Sequence, residues 1–146
     1  MTAILKYDAI KPLGRGGGIA TVPLAVGSAL DEGNKFVTGI SSYPVGSGAP
    51  LHHHNCDEQV IILSGSGEVE VDGAITGLRR YDGAYIEAGK VHAYRNTSQS
   101  EPMVIMWIYS GTVVTRTFAD SGLTVEHLSA ADMMGADEPG SPGTPD

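Results

Sequence analysis

The sequence predicts an all-β protein, a sandwich or barrel of short strands. Two observations carry that expectation. A series of short strand-like runs is punctuated by Gly, Pro, Asp and Asn at turn positions. One of them, GEVEVDG at 67–73, alternates acid and valine as a half-exposed hairpin strand does. Helical periodicity is confined to one short stretch near the C-terminus.

Taken in order, the first third is loop-rich. GRGGG at 14–18 has the look of a phosphate cradle, but no GK[ST] follows and no amphipathic helix begins there, so a flexible crossing segment is expected. KFVTGISSY (35–43) reads as a strand, YPVGSGAP (43–50) as a Gly/Pro loop, and QVIILSG (59–65) as a buried strand. Asp72-Gly73 is a hairpin turn signal. AITGLRRY, GAYIEAG, KVHAYRN, PMVIMWIYS and TVVTRTF complete the strand series. Ser129 can cap a short helix from Ala130 to about Met134, with Asp132 near its N-terminus. The stretch 135–146 is Pro, Gly and acid without an apolar anchor, and disorder is expected there. No internal repeat is visible, so residues 1–134 are expected to form a single domain.

The 146-residue length suits one domain with a real core. A formal charge of −8 argues against a nucleic-acid partner, which would want a basic face. No apolar run is long enough to span a bilayer, and the N-terminal residues lack a signal-peptide pattern. With a single cysteine, Cys56, no intrachain disulfide can form, which fits a reducing compartment, so a cytoplasmic location is expected.

The chemistry lies in two clusters. His52, His54 and Glu58 stand two and four residues apart, and His92 follows Gly89 further on. Successive strand side chains point to opposite faces, so 52, 54 and 58 can share one. Three imidazoles and one carboxylate are a ligand set for a divalent transition metal, and the mixed nitrogen and oxygen donors suit Fe, Mn, Ni, Co or Zn without choosing among them.

The spacing Gly46, five residues, His52, one residue, His54, three residues, Glu58, six residues, Gly65 matches the first signature motif of the cupin family in full. Gly89, His92 and Asn96 fall at the places of the second, where Tyr81 stands for the expected opening Gly and Glu87 for the expected Pro. The chain thus resembles a small single-domain cupin over about residues 35–118. The resemblance implies one cupin-type β-barrel, jelly-roll-like, with two antiparallel sheets around a cavity. It also implies a metal held by His52, His54, Glu58 and His92, a small-molecule substrate, and a homodimer paired through β-strands. Similar cupins include dioxygenases, isomerases, decarboxylases, lyases and polyketide cyclases, together with proteins of no known catalysis, so the fold does not fix the reaction.

Three neutral imidazoles and a carboxylate around a divalent ion leave a charge near +1, which favours anionic or enolisable chelating substrates. With six-coordination two positions stay open. The first functional expectation is therefore a metal-dependent oxidoreductase, dioxygenase-like, on a small enolic, phenolic or carboxylate substrate. One alternative is an oxygen-independent Lewis-acid isomerase, cyclase or decarboxylase; another is a non-catalytic metabolite-binding module. Tyr94 shares parity with His92 and is the nominee for moving a proton, against the reading of an ordinary packed tyrosine. His53 should face away from the metal. Cys56 reads as a small buried hydrophobe, although its parity could bring it near the ion. Trp107 and Tyr109 share one face of a late strand, as core or as ligand contacts.

Overall fold

A computed structural model describes residues 2–132. The expected tail at 135–146 and the last residues of the expected helix lie outside the described residues. Twelve strands are present among them: β1 (Leu13–Gly14), β2 (Ala20–Pro23), β3 (Val37–Tyr43), β4 (His52–His54), β5 (Glu58–Ser64), β6 (Gly67–Val71), β7 (Ala74–Leu78), β8 (Gly83–Ile86), β9 (His92–Arg95), β10 (Met103–Tyr109), β11 (Thr115–Phe118) and β12 (Thr124–Glu126). They form two six-stranded antiparallel sheets, ordered β1-β2-β3-β10-β5-β8 and β12-β11-β4-β9-β6-β7. The all-β, two-sheet architecture read from the sequence is the one observed.

The core follows from period-two patterning. Along β10, Met103, Ile105, Trp107 and Tyr109 are buried while the residues between them are half-buried. β10 lies between β3 and β5, pairing with both, so its inward row forms the floor of the interior. Val60 and Ile62 of β5 continue the row, and Val69, Leu78 and Tyr94 face it from the opposite sheet. Gly39 of β3 is Trp107's partner in register, and a Cβ there would stand 2.1 Å from the indole. Glycine makes room for the ring, and Trp107 Nε1 then donates to Ser41 Oγ at 2.8 Å.

Two expectations are corrected. The first third is loop-rich as read, but GRGGG is not a flexible crossing segment: Leu13–Gly14 pairs with Ala20–Pro23, and residues 15–19 make the turn between them. Gly16, Gly17 and Gly18 all have positive φ there, a region glycine enters without steric penalty. The segment is thus a built turn that buries Arg15. The C-terminal helix does not form over its described part. Ser129 Oγ donates backwards to the Glu126 carbonyl at 2.6 Å instead of capping a following turn, and Asp132 is drawn into the interior by arginines. The short 3₁₀ turns lie elsewhere, at Tyr7–Ala9 and Gly27–Ala29.

At the second motif, Tyr81 occupies the position where glycine is expected. It adopts φ +73°, the left-handed conformation that glycine favours, and its side chain is 70% exposed. The turn therefore keeps its shape in spite of the departure. Asn96 is structural. Its side-chain amide donates to the carbonyls of Tyr43, Pro44 and Glu101, and its Oδ1 accepts from Ser98 N, so it ties the loop before β4 to the loop before β10.

Candidate metal centre

β4 presents His52 and His54 inward and leaves His53 half-buried on the other face, opposite Thr117. His52 is in turn the register partner of His92 on β9. Three imidazoles therefore meet across neighbouring strands, with ring centroids 4.9, 4.5 and 5.5 Å apart. Each offers a ligand nitrogen, and these atoms all lie within 4.8 Å of one another.

Backbone carbonyls orient the rings. His52 Nδ1 faces Pro50 O at 2.6 Å, His54 Nδ1 faces Thr115 O at 3.0 Å, and His92 Nδ1 faces Lys90 O at 2.8 Å. A carbonyl only accepts, so each Nδ1 donates to it, which leaves Nε2 of His52 and His54 to bind an ion; His92 Nε2 instead donates to Glu58 Oε1 and would bind an ion on losing that proton. Burial pushes His52 well below the ordinary histidine range, with the charges of Arg116, His54 and His92 adding to it. Burial likewise lowers His54, to about 4, against the pull of Glu58. Near neutral pH both are uncharged, the form a metal requires. The donor set thus fits a divalent transition ion.

Glu58 comes from the other sheet. It is the first residue of β5, and its parity with His52 and His54 does not run through one strand, because residues 55–57 bend from sheet to sheet. It lies outside the mutually close histidine set, yet its Oε1 is 2.9 Å from His92 Nε2 and its Oε2 is 3.9 Å from His54 Nε2. Burial alone would raise its pKa. The hydrogen bond with His92 and the histidine charges outweigh that, and hold it at about 2. Tyr109 also bonds Glu58 and stands 3.3 Å from His54 Nε2.

The other sequence candidates separate clearly. Tyr94 is 2% exposed, lines the same cavity as His52 and Glu58, and its hydroxyl has no hydrogen-bond partner among the described residues. Burial and the charge of Glu58 push its pKa up, so it is a neutral phenol. Trp107 and Tyr109 are both buried and both line the cavity. Cys56 packs on the edge of the apolar core and takes no part in the histidine cluster; burial raises its thiol.

Four residues were not read from the sequence as parts of the site: Arg15, Arg116, His127 and Asp132. Arg116 is the register partner of His54 and lines the cavity. Arg15 Nη2 pairs with Asp132 Oδ2 at 2.6 Å, while Arg116 Nε lies 3.1 Å from Asp132 Oδ1. All three side chains are buried. His127 packs edge-on to Trp107 at 5.1 Å and near Tyr109 at 4.9 Å. Its ring belongs to the wall of the inner cavity, of about 20 Å³, and also to the wall of an outer cleft of about 420 Å³. The inner space holds about one water. Of the four, only Arg116 left a signal, as a charge on the inward parity of Val114 and Phe118.

Two facing antiparallel sheets, with histidines from neighbouring strands and a carboxylate from across the interior, define the cupin class of fold. Residues 39–109 match the family model described as a cupin domain, and the chain carries a small cupin domain. An uncharacterized protein of Aquifex aeolicus is 39% identical over 64 residues, 44% of this chain and 51% of the other; the chain thus spans about half the length of that relative. A sugar phosphate isomerase from a cupin superfamily, from Silicibacter pomeroyi, superposes with TM-score 0.67 at 20% identity, over 90% of this chain and 99% of the other. A predicted oxalate decarboxylase of Thermotoga maritima superposes with TM-score 0.65 at 20% identity, over 74% and 98%. At these identities the two structures share the fold. No helix among the described residues is long and apolar enough to cross a membrane.

Proposed function

We propose that this chain is a metal-dependent enzyme that moves a proton on a small chelating substrate, as an oxygen-independent isomerase, cyclase or decarboxylase does. His52, His54 and His92 would hold the ion, with Glu58 as the fourth ligand. The ion itself would supply Lewis acidity, polarising a carbonyl or enol oxygen. Everything else falls to side chains. The backbone carbonyls fix the three rings, and Glu58 stays ionised because its bond with His92 and the nearby histidine charges outweigh the cost of burial. Tyr109 bonds that carboxylate from the side. Tyr94 Oη holds a proton inside the cavity with nothing to give it to.

That orphaned hydroxyl carries the reading. A buried polar atom without a partner is costly, and in a concave site it points to a group that bonds substrate. It supplies the proton-moving group within reach of substrate that Lewis-acid chemistry needs. The dioxygenase-like reading rests on the ligand set alone, which both chemistries share.

The test is anaerobic turnover of protein reconstituted with zinc or manganese, beside a Tyr94→Phe variant. The reading expects activity without oxygen, and in Tyr94→Phe full metal content with turnover down by about 100-fold or more. Activity that needs ferrous iron and consumes oxygen would establish the dioxygenase reading instead.

A further inference from the structure

The interior carries more charge than its proposed metal ligands. Arg15 and Arg116 contribute two positive charges, and Glu58 and Asp132 two negative ones, in side chains that are all buried. Between themselves these four cancel. A divalent ion would add two positive charges, and uncompensated buried charge is strongly unfavourable.

Arg116 shows where compensation is wanted. Its side chain is 3% exposed, and its Cα partner across the ladder is His54. Directly opposed residues hold their Cβ atoms about 5 Å apart, so the guanidinium and the histidine cluster share one small space. Asp132 does not satisfy it. Asp132 Oδ2 is taken by Arg15 Nη2 at 2.6 Å and Leu128 N at 2.9 Å. The remaining Oδ1 lies 3.1 Å from Arg116 Nε without hydrogen-bond alignment, and Arg116 Nη1 has no acceptor among the described residues. A guanidinium with an idle N–H in a buried cavity is a carboxylate receptor, since its planar donors match two carboxylate oxygens.

We propose that the ligand of this centre is a small organic acid whose carboxylate docks on Arg116 while a neighbouring oxygen faces the histidine cluster. The 2-oxo and 2-hydroxy acids have that pairing of groups. This inference rests on the metal reading above for the second contact only. The inner cavity beside Arg116, of about 20 Å³, has room for about one water-sized group, and His127 is wall to both it and the outer cleft of about 420 Å³, so docking the acid on Arg116 would require His127 to shift toward that cleft. Arg15, Arg116, His127 and Asp132 all lie outside the segment 39–109 that matches the cupin domain, so the receptor is a feature of this chain beyond the matched part.

Calorimetric titration with pyruvate, its neutral amide pyruvamide and inorganic phosphate tests the proposal on manganese-loaded and chelator-treated full-length protein. Pyruvate should bind the wild type at least tenfold more tightly than pyruvamide, and more tightly than phosphate. Arg116→Gln should bring the acid-to-amide ratio near one with metal stoichiometry unchanged, and Arg116→Lys should recover part of it. Equal binding of acid and amide, tighter phosphate, or no detectable pyruvate binding overturns it, as does a ratio that survives Arg116→Gln. Should Arg116→Gln fail to fold, the wild-type comparison and Arg116→Lys still decide. Absent metal in elemental analysis strikes the metal reading alone, because the ratio on chelator-treated protein still reports the arginine.

Discussion

His92 Nε2 and Glu58 Oε1 stand 2.9 Å apart although they belong to different sheets. This contact joins the two sides of the barrel at its chemical centre, and it is the contact that an ion between them would replace. The surrounding parts are arranged to leave Nε2 facing inward, because the Nδ1 of each histidine is already occupied by a carbonyl.

Metal content should therefore depend on strand face. His54→Ala removes a proposed ligand and should lower metal affinity by more than the 10- to 100-fold typical of losing a supporting partner. His53→Ala, on the other face of β4, should leave it within about twofold of wild type. Elemental analysis after dialysis against a weak chelator reads both. Equal losses in the two variants would contradict the proposed ligand set.

Stability of the metal-free protein should fall as pH drops below neutrality. Burial holds His52 and His127 well below the ordinary histidine value of 6.5, and His54 at about 4, so the unfolded chain takes up protons that the folded chain refuses. Glu58 acts in the same direction at lower pH: held at about 2 against 4.5, its contribution is present above 4.5 and is lost toward 2. Urea midpoints of chelator-treated protein should decrease steadily from pH 7 to pH 5. His127→Gln should flatten that slope. A midpoint constant across the range would show that these imidazoles are not held neutral.

Tyr94→Phe should separate stability from activity. The hydroxyl is buried without a partner, so removing it relieves a desolvation cost of about 1 kcal/mol or more and should raise Tm by a few degrees. The proposed chemistry predicts the reverse for turnover. A variant both less stable and fully active would assign the hydroxyl to a bond within the folded core instead of to substrate.

Much of the fold was legible because short apolar or alternating runs bounded by turn residues are a strand signal. MVIMWIY and QVIIL are apolar runs of strand length and GEVEV alternates, and β10, β5 and β6 lie there. The histidine cluster was legible because its residues sit on short strands with fixed faces. Less legible was anything depending on distant contacts. Arg15 meets Asp132 across 117 residues, among glycines that read only as a loop. Three-residue β12, with one buried position, is too short for any pattern to register. Asp132 looked like a helix N-terminal acid, and the two buried guanidiniums overrode that local preference. Tyr81 shows the opposite case: a non-glycine residue takes the left-handed conformation because the surrounding turn demands it.

Asp132 offers the sharpest test of the buried charges. Among the described residues it is the one carboxylate paired with both Arg15 and Arg116, and its Oδ2 also accepts from Leu128 N. Asp132→Asn keeps the size but removes the charge, leaving two buried guanidiniums that repel. Breaking a buried pair by losing one partner costs about 3–5 kcal/mol, a large share of the roughly 5–15 kcal/mol that holds a domain folded. The urea midpoint should drop accordingly. A carboxylate supplied from solution should then do what the side chain no longer does. Millimolar pyruvate should raise the midpoint of Asp132→Asn more than that of wild type, whereas pyruvamide should raise neither. If Asp132→Asn loses less than about 1 kcal/mol, or if the acid and the amide act alike on it, the two arginines do not form the unbalanced positive site described above.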